Sequence, residues 1–269
     1  QPPAGYRPRL VELCVVAAGL SLVLSFAPRG WWPMALLSPA VLFLCWRGAN
    51  PGRAAWLGFL YGFAAFLSGT WWTFVSVHDF GQAPAVLAGF LTVSLAALMA
   101  AYYAVLGWAA ARWLPAGGAL RWLVGLPAAW ALLEWVRGWF LSGFPWLSLG
   151  YSQTDAVLGA LAPLVGVYGL GWACALGAGA LVTLLREDLP RRAAALAVLC
   201  ALFVAAGAAA RQDWTQPAGP PLQVAMVQGA VAQDEKWLKT RLEPTRELYL
   251  ELTEPYWGID LLIWPEAAL

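Results

Sequence analysis

Apolar residues run through the first four fifths of the chain in seven long stretches, at about 10–27, 31–46, 54–77, 84–112, 120–141, 161–185 and 192–210. A bilayer core about 30 Å thick takes roughly 20 residues of helix, because every backbone polar group inside it must be satisfied within the segment. The pattern therefore predicts a polytopic α-helical membrane bundle of about seven spans. The second stretch is short and flanked by Pro28 and Pro33, and the fourth is long enough to tilt or protrude.

After Arg211 the pattern changes. Residues 217–221 (Pro-Ala-Gly-Pro-Pro) make a linker, and Leu222 to Gln228 reads as a strand closed by Gly229. Thr245, Leu248, Tyr249, Leu252 and Tyr256 recur at helical spacing within 240–256, with Pro244 in the first turn. Ile259 to Trp264 is a second strand, and Pro265 ends its ladder. Strand, helix and strand at this spacing predict a βαβ unit with parallel strands. The expected organisation is a transmembrane helical domain over 1–211, a linker over 212–221, and the incomplete N-terminal part of an α/β domain over 222–269.

Composition sharpens this picture. The chain is 61% hydrophobic and only 12% charged, against about 25% charged in soluble domains. A net charge of +1 and the lack of a basic, aromatic-rich cluster exclude a nucleic-acid partner. Cys14, Cys45, Cys174 and Cys200 all lie inside apolar stretches with no zinc-type spacing, so they read as small apolar packers. No metal site or cofactor is expected. The N-terminus, with Arg7 and Arg9 before an apolar run, has no small-x-small cleavage site ahead of a soluble region and reads as a retained first helix.

Basic residues orient the bundle. Arg7, Arg9, Arg47, Arg53, Arg112, Arg121, Arg186, Arg191 and Arg192 fall on one side, whereas the other side's short loops hold only Arg29 and Arg137. The N-terminus is expected in the cytoplasm and everything after about residue 211 outside. Most of the 18 tryptophans lie near stretch ends, as an interfacial belt does.

Few residues offer chemistry. The only histidine, His78, sits beside Asp79 in an outside loop and reads as a solvated helix-end pair. The second outside loop, 137–153, is aromatic and broken by Gly and Pro; it is either a re-entrant arm on which acyl chains lie or a packed interfacial loop. Glu134 and Arg137, three apart on one helical face, are expected to pair with each other, the alternative being contact with a lipid headgroup or substrate. Glu266 follows the second strand, where functional groups of parallel sheets gather.

Several strings together carry a resemblance. Val224-Ala225-Met226-Val227-Gln228 with Asp260-Leu261-Leu262-Ile263-Trp264-Pro265-Glu266 resembles the opening of the carbon–nitrogen hydrolase (nitrilase) superfamily. Arg137-Gly138-Trp139, Gly143-Phe144-Pro145-Trp146 and Gly150-Tyr151-Ser152-Gln153 resemble the membrane signature of the apolipoprotein N-acyltransferase family, and Met226 to Gly229 with Lys236-Trp237 resembles its entry into the soluble domain.

The resemblance implies a nitrilase-like αββα domain outside the bacterial inner membrane, in the periplasm. It implies a Glu-Lys-Cys triad, with Glu266 as general base, and substrate contacts at Trp237, Trp146, Phe144 and Tyr151. It further implies a phospholipid acyl donor and a diacylglyceryl-apolipoprotein acceptor. The chain departs from that pattern: Lys236 and Lys239 precede Glu266, and no cysteine follows it. It is expected to be a truncated part of such an enzyme, inactive by itself. A polytopic lipid-binding or transport protein would need more paired intramembrane charges than Glu134 and Arg137. A membrane-tethered amidase of the same superfamily would not need seven spans.

Overall fold

The computed structural model describes residues 8–233, 235–236, 238–266 and 268. Trp237, expected at the site, lies outside them. The chain divides into a helical unit, which takes in most of the chain up to Trp214, and a smaller unit that includes 215–269.

The helical unit is built from α1 (Pro8–Leu22), α2 (Met34–Cys45), α3 (Pro51–Gly69), the short α4 (Trp72–Val75), α5 (Ala85–Trp113), α6 (Leu126–Arg137), α7 (Ala162–Arg186) and α8 (Leu189–Ala209). Each apolar stretch thus contains helix. Among the described residues, three helices are long and apolar enough to cross a membrane: Ala85–Trp113, Val157–Arg186 including a leading 3-10 turn, and Leu189–Ala209. The others fall short for visible reasons. The 12 residues of α2 rise only about 18 Å. The equally short α6 is extended by a π-helical segment, Leu120–Gly125, and carries Glu134 and Arg137 in its last turns. Asn50 and Asp188 cap α3 and α8 by accepting from the backbone N–H groups of Arg53 and Arg191, and each is followed by proline in the first turn.

Small residues set the packing. Gly58 of α3 lies against the backbone carbonyl of Tyr103 on α5, and Gly107 of α5 lies against that of Ala54 on α3. A side chain at either place would meet backbone, so the two helices touch as membrane helices with small residues at the seam do. Beside the seam the Trp46 indole donates to the Ala54 carbonyl at 2.8 Å. Tyr61, Tyr103, Trp130 and Phe43 form a buried aromatic cluster, with Tyr103 and Trp130 edge to face at 5.2 Å. Large apolar side chains on α5 and α8, such as Val86, Phe90, Val105, Leu196 and Val204, are exposed, as lipid-facing surfaces require.

At one end of the bundle, Glu187, between α7 and α8, ties two loops together. Its carboxylate accepts from the Trp122 indole (2.9 Å), from the Gly118 N–H (3.0 Å) and from Arg191. The Trp122 bond first, then the Gly118 N–H and Arg191, hold the Glu187 carboxyl below its ordinary value.

In the second unit β1 (Val224–Met226) and β2 (Leu261–Ile263) pair in parallel, with Ala225 opposite Leu262, and α9 (Leu242–Thr253) lies between them in sequence. This is the expected βαβ connection, with shorter strands. Helix α9 turns Thr245, Tyr249 and Thr253 inward, and Tyr249 packs with Val227, Leu262 and Trp264. Leu252 and Tyr256, two further apolar positions of the period, instead line an open cavity along β1.

Candidate functional site

Two places carry candidate chemistry. The first is the loop after α6. Glu134 and Arg137 are fully buried at the end of that helix. Their mutual approach is 4.0 Å, the outer limit of an ion pair, and their main partners lie elsewhere. One guanidinium nitrogen of Arg137 donates to the carbonyls of Phe144 (2.5 Å) and Trp146 (2.6 Å), and the other donates to Ser148 Oγ (3.1 Å). The guanidinium also lies 5.2 Å from the centre of the Phe66 ring on α3. Glu134 Oε1 accepts from the Leu149 N–H (2.8 Å) and the Trp130 indole (3.1 Å). The expected pair is thus foremost a clamp on the loop. Charge-assisted bonds to carbonyls and N–H groups offset much of the cost of burying these ions, while Glu134 Oε2 and Arg137 Nε are buried without a hydrogen-bond partner.

The loop has an unusual backbone. Leu141, Ser142 and Gly143 all have positive φ, and Leu147 adopts φ 56°. Left-handed backbone costs a non-glycine residue about 1–2 kcal/mol, which the Arg137 bonds on either side of Leu147 offset. The Leu147 side chain lies over Gly69, the last residue of α3.

Phe144, Trp146 and Tyr151, expected at the site, are brought together here. Phe144 stacks on Trp146 at 5.5 Å, and Trp146 meets Trp72 at 5.5 Å. Phe144 also reaches inward to Phe66. Trp146 is 48% and Tyr151 55% exposed, and both border an open, mainly apolar cavity of about 580 Å³ with Val23, Phe26, Trp72 and Leu147. Trp72, Leu147 and Ser148 were not singled out by sequence. Trp72 blends into the interfacial belt, and nothing local marks the other two.

The second place is the tip of β2. Thr253 Oγ1 accepts from the Trp264 indole (2.9 Å) and donates to the Tyr249 carbonyl (2.7 Å), which fastens the end of the strand to α9. Pro265 and Glu266 follow in a turn closed by the Ala268 N–H on the Pro265 carbonyl (3.1 Å). Glu266 is exposed, at the carboxyl end of a parallel strand. At the opposite end, Asp260 accepts from the Gln223 N–H at 2.8 Å and sets the register. His78 Nδ1 lies 2.8 Å from the Ala83 carbonyl, a local loop contact. Among the described residues no group of His, Cys, Asp and Glu has metal-binding geometry.

A helical unit rich in membrane-span helices, with a buried polar clamp on an aromatic loop and a βαβ unit ending in a carboxylate, defines an integral membrane protein with an appended α/β segment. The model for the apolipoprotein N-acyltransferase N-terminal domain matches residues 18–180. The chain is 41% identical over 262 residues to the apolipoprotein N-acyltransferase of Methylococcus capsulatus, covering 96% of this chain and 51% of that protein. It is 44% identical to that of Azotobacter vinelandii and 43% identical to that of Pseudomonas putida, with 96% of the chain again covered. This chain belongs to the apolipoprotein N-acyltransferase family. It spans about half the length of the curated relatives it matches.

Proposed function

We propose that the chain serves a membrane acyltransferase of lipoprotein maturation. The enzyme moves a fatty acyl group from a phospholipid to the α-amine of the diacylglyceryl-cysteine that begins an apolipoprotein. The observation that carries this reading is the similarity over 96% of the chain, which runs through both the clamped aromatic loop and the βαβ unit. On this reading all seven apolar stretches cross the inner membrane, the N-terminus is cytoplasmic, and residues after about 211 begin a periplasmic nitrilase-like domain.

Chemistry then follows from the residues. Glu266, exposed at the end of β2, takes the proton from a cysteine thiol as sulfur attacks the ester carbonyl of the phospholipid. The carbonyl–oxygen bond breaks, the proton goes to the departing glycerol oxygen, and lysophospholipid leaves. The amine of the acceptor next attacks the thioester, the carbon–sulfur bond breaks, and the thiol is restored. A thiolate activated by a neighbouring base divides acyl transfer into two easier steps. The thiol and the charge-stabilising lysine belong to the half of the relatives' length that this chain does not match. Trp146, Phe144 and Tyr151 would wall the lipid side, and Trp237 the pocket. The mainly apolar cavity beside Trp146 supports that assignment.

Intact-mass measurement of the full-length protein after incubation with phospholipid tests the reading. One added fatty acyl group, lost in Glu266→Gln with the fold unchanged, is the expected result. Normal thioester formation in that variant would overturn the general-base role.

A further inference from the structure

We propose that Glu134 and Arg137 are positioning residues that hold the loop 144–149 in its lipid-facing shape. The proposal rests on the acyltransferase reading above, and the two charges touch no reacting atom in it. Three observations carry it. Both side chains are fully buried, and neither is satisfied chiefly by the other, given their 4.0 Å separation. Their hydrogen bonds converge on one short segment: carbonyls at Phe144 and Trp146, a hydroxyl at Ser148 and an N–H at Leu149. Between those anchors stands Leu147, at a positive φ of 56° that costs a leucine about 1–2 kcal/mol.

The consequence is directional. With every backbone anchor turned inward to the ions, the side chains of Trp146, Leu147 and Tyr151 are left to border the apolar cavity with Trp72 and Phe26. An apolar lysine-length substitute would fill the space at position 137 but leave two part-buried carbonyls and a buried hydroxyl without this donor. Arginine suits the place because its planar fork presents several donors at fixed angles, whereas an ammonium is a point charge on a flexible stem. At position 134 an amide oxygen can still accept from Leu149, so glutamine retains much of the hold.

Two readouts on the full-length protein in lipid nanodiscs test this. In Arg137→Lys, hydrogen exchange at 144–149 is expected to quicken roughly tenfold, the loss of one charge-assisted bond, while α3 and α5 stay as protected as before. Half-maximal labelling of peptide 138–153 by a photoactivatable phospholipid should then need roughly tenfold more probe. KM for phospholipid should rise by about the same factor with kcat within about twofold, the signature of lost binding and not of lost chemistry. Glu134→Gln should restore most of the protection that Glu134→Ala loses.

Unchanged exchange in Arg137→Lys overturns the proposal. So does faster exchange with unchanged labelling, or a loss of protection that spreads through α3 and α5. If Arg137→Lys does not fold, Ser148→Ala removes a single anchor and should give the same changes on a smaller scale. A wild-type protein that takes the lipid label but transfers no acyl group would refute the acyltransferase reading and leave the positioning role standing.

Discussion

The two candidate places treat charge in opposite ways. At the end of α6 two ions are fully buried and held by backbone groups of a single loop, so they can do little but hold. At the end of β2 one carboxylate is exposed, with its strand fastened behind it by Trp264 and Thr253. Buried and bound, a charge organises structure; exposed at a strand end, it is open to solvent, as the general-base role proposed for Glu266 requires. The same contrast runs through the packing. The helical unit closes around a glycine seam and a buried aromatic cluster, whereas in the βαβ unit Val224, Met226, Leu261 and Ile263 leave one sheet face uncovered.

The contrast can be broken at several points. The largest effect is expected at the seam. Gly107→Val would drive a side chain into the Ala54 carbonyl and cost about 3 kcal/mol of overpacking. Thermal unfolding in detergent should show it, against a control, Gly89→Ala, where open space predicts no loss. In the smaller unit, Thr253→Val removes the acceptor of the Trp264 indole and should cost about 1–3 kcal/mol. Its readout is proteolytic sensitivity of residues 222–266, with the helical unit unaffected; equal sensitivity in the wild type would show that the staple does not hold the strand.

Glu187 gives a pH-dependent case. Its folded carboxyl titrates below the ordinary value of 4.5, so its stabilisation is complete above that value and is lost as pH falls through the lower folded one. The melting temperature of the wild type should therefore fall more between about pH 5 and pH 3 than that of Glu187→Gln. Parallel curves would refute the assignment. The smallest effect is expected at Glu12, which accepts from Arg53 and from the Trp56 indole near the surface of the helical unit. Glu12→Gln should shift the melting temperature least of these variants in the same assay, because a pair at the surface is screened by solvent.

The apolar stretches and the βαβ unit were legible because both rest on periodicity, which local sequence carries. The helical nature of each stretch followed, and so did parallel pairing across α9. The lengths did not follow so well. The stretch at 120–141 reads as one span, yet it holds a π-helical segment, a 12-residue α-helix and the start of the loop. Motif resemblance singled out Phe144, Trp146 and Tyr151, which lie close together in the fold, and Glu266, which follows the end of β2. The partners of Glu134 and Arg137 were not legible. Spacing of three announces that two side chains share a face, but it cannot say that the carbonyls of residues 144 and 146 will fold back to meet them. For the same reason Leu147, whose backbone is the distinctive part, looked like any other apolar residue.

The clamp has a consequence for how the protein is made. The last turn of α6 reaches the membrane about a second before its partners exist, since Leu149 follows Arg137 by 12 residues and ribosomes add about 5–20 residues per second. During that interval Glu134, on the same helix, and Phe66, from a helix already synthesised, are the groups at hand to shield the guanidinium. The charged end of α6 thus has reason to wait at the translocon until the loop emerges. If α6 crosses the membrane as proposed, its entry and the folding of the loop should be coupled, and a lengthened loop would be felt first as a defect in insertion.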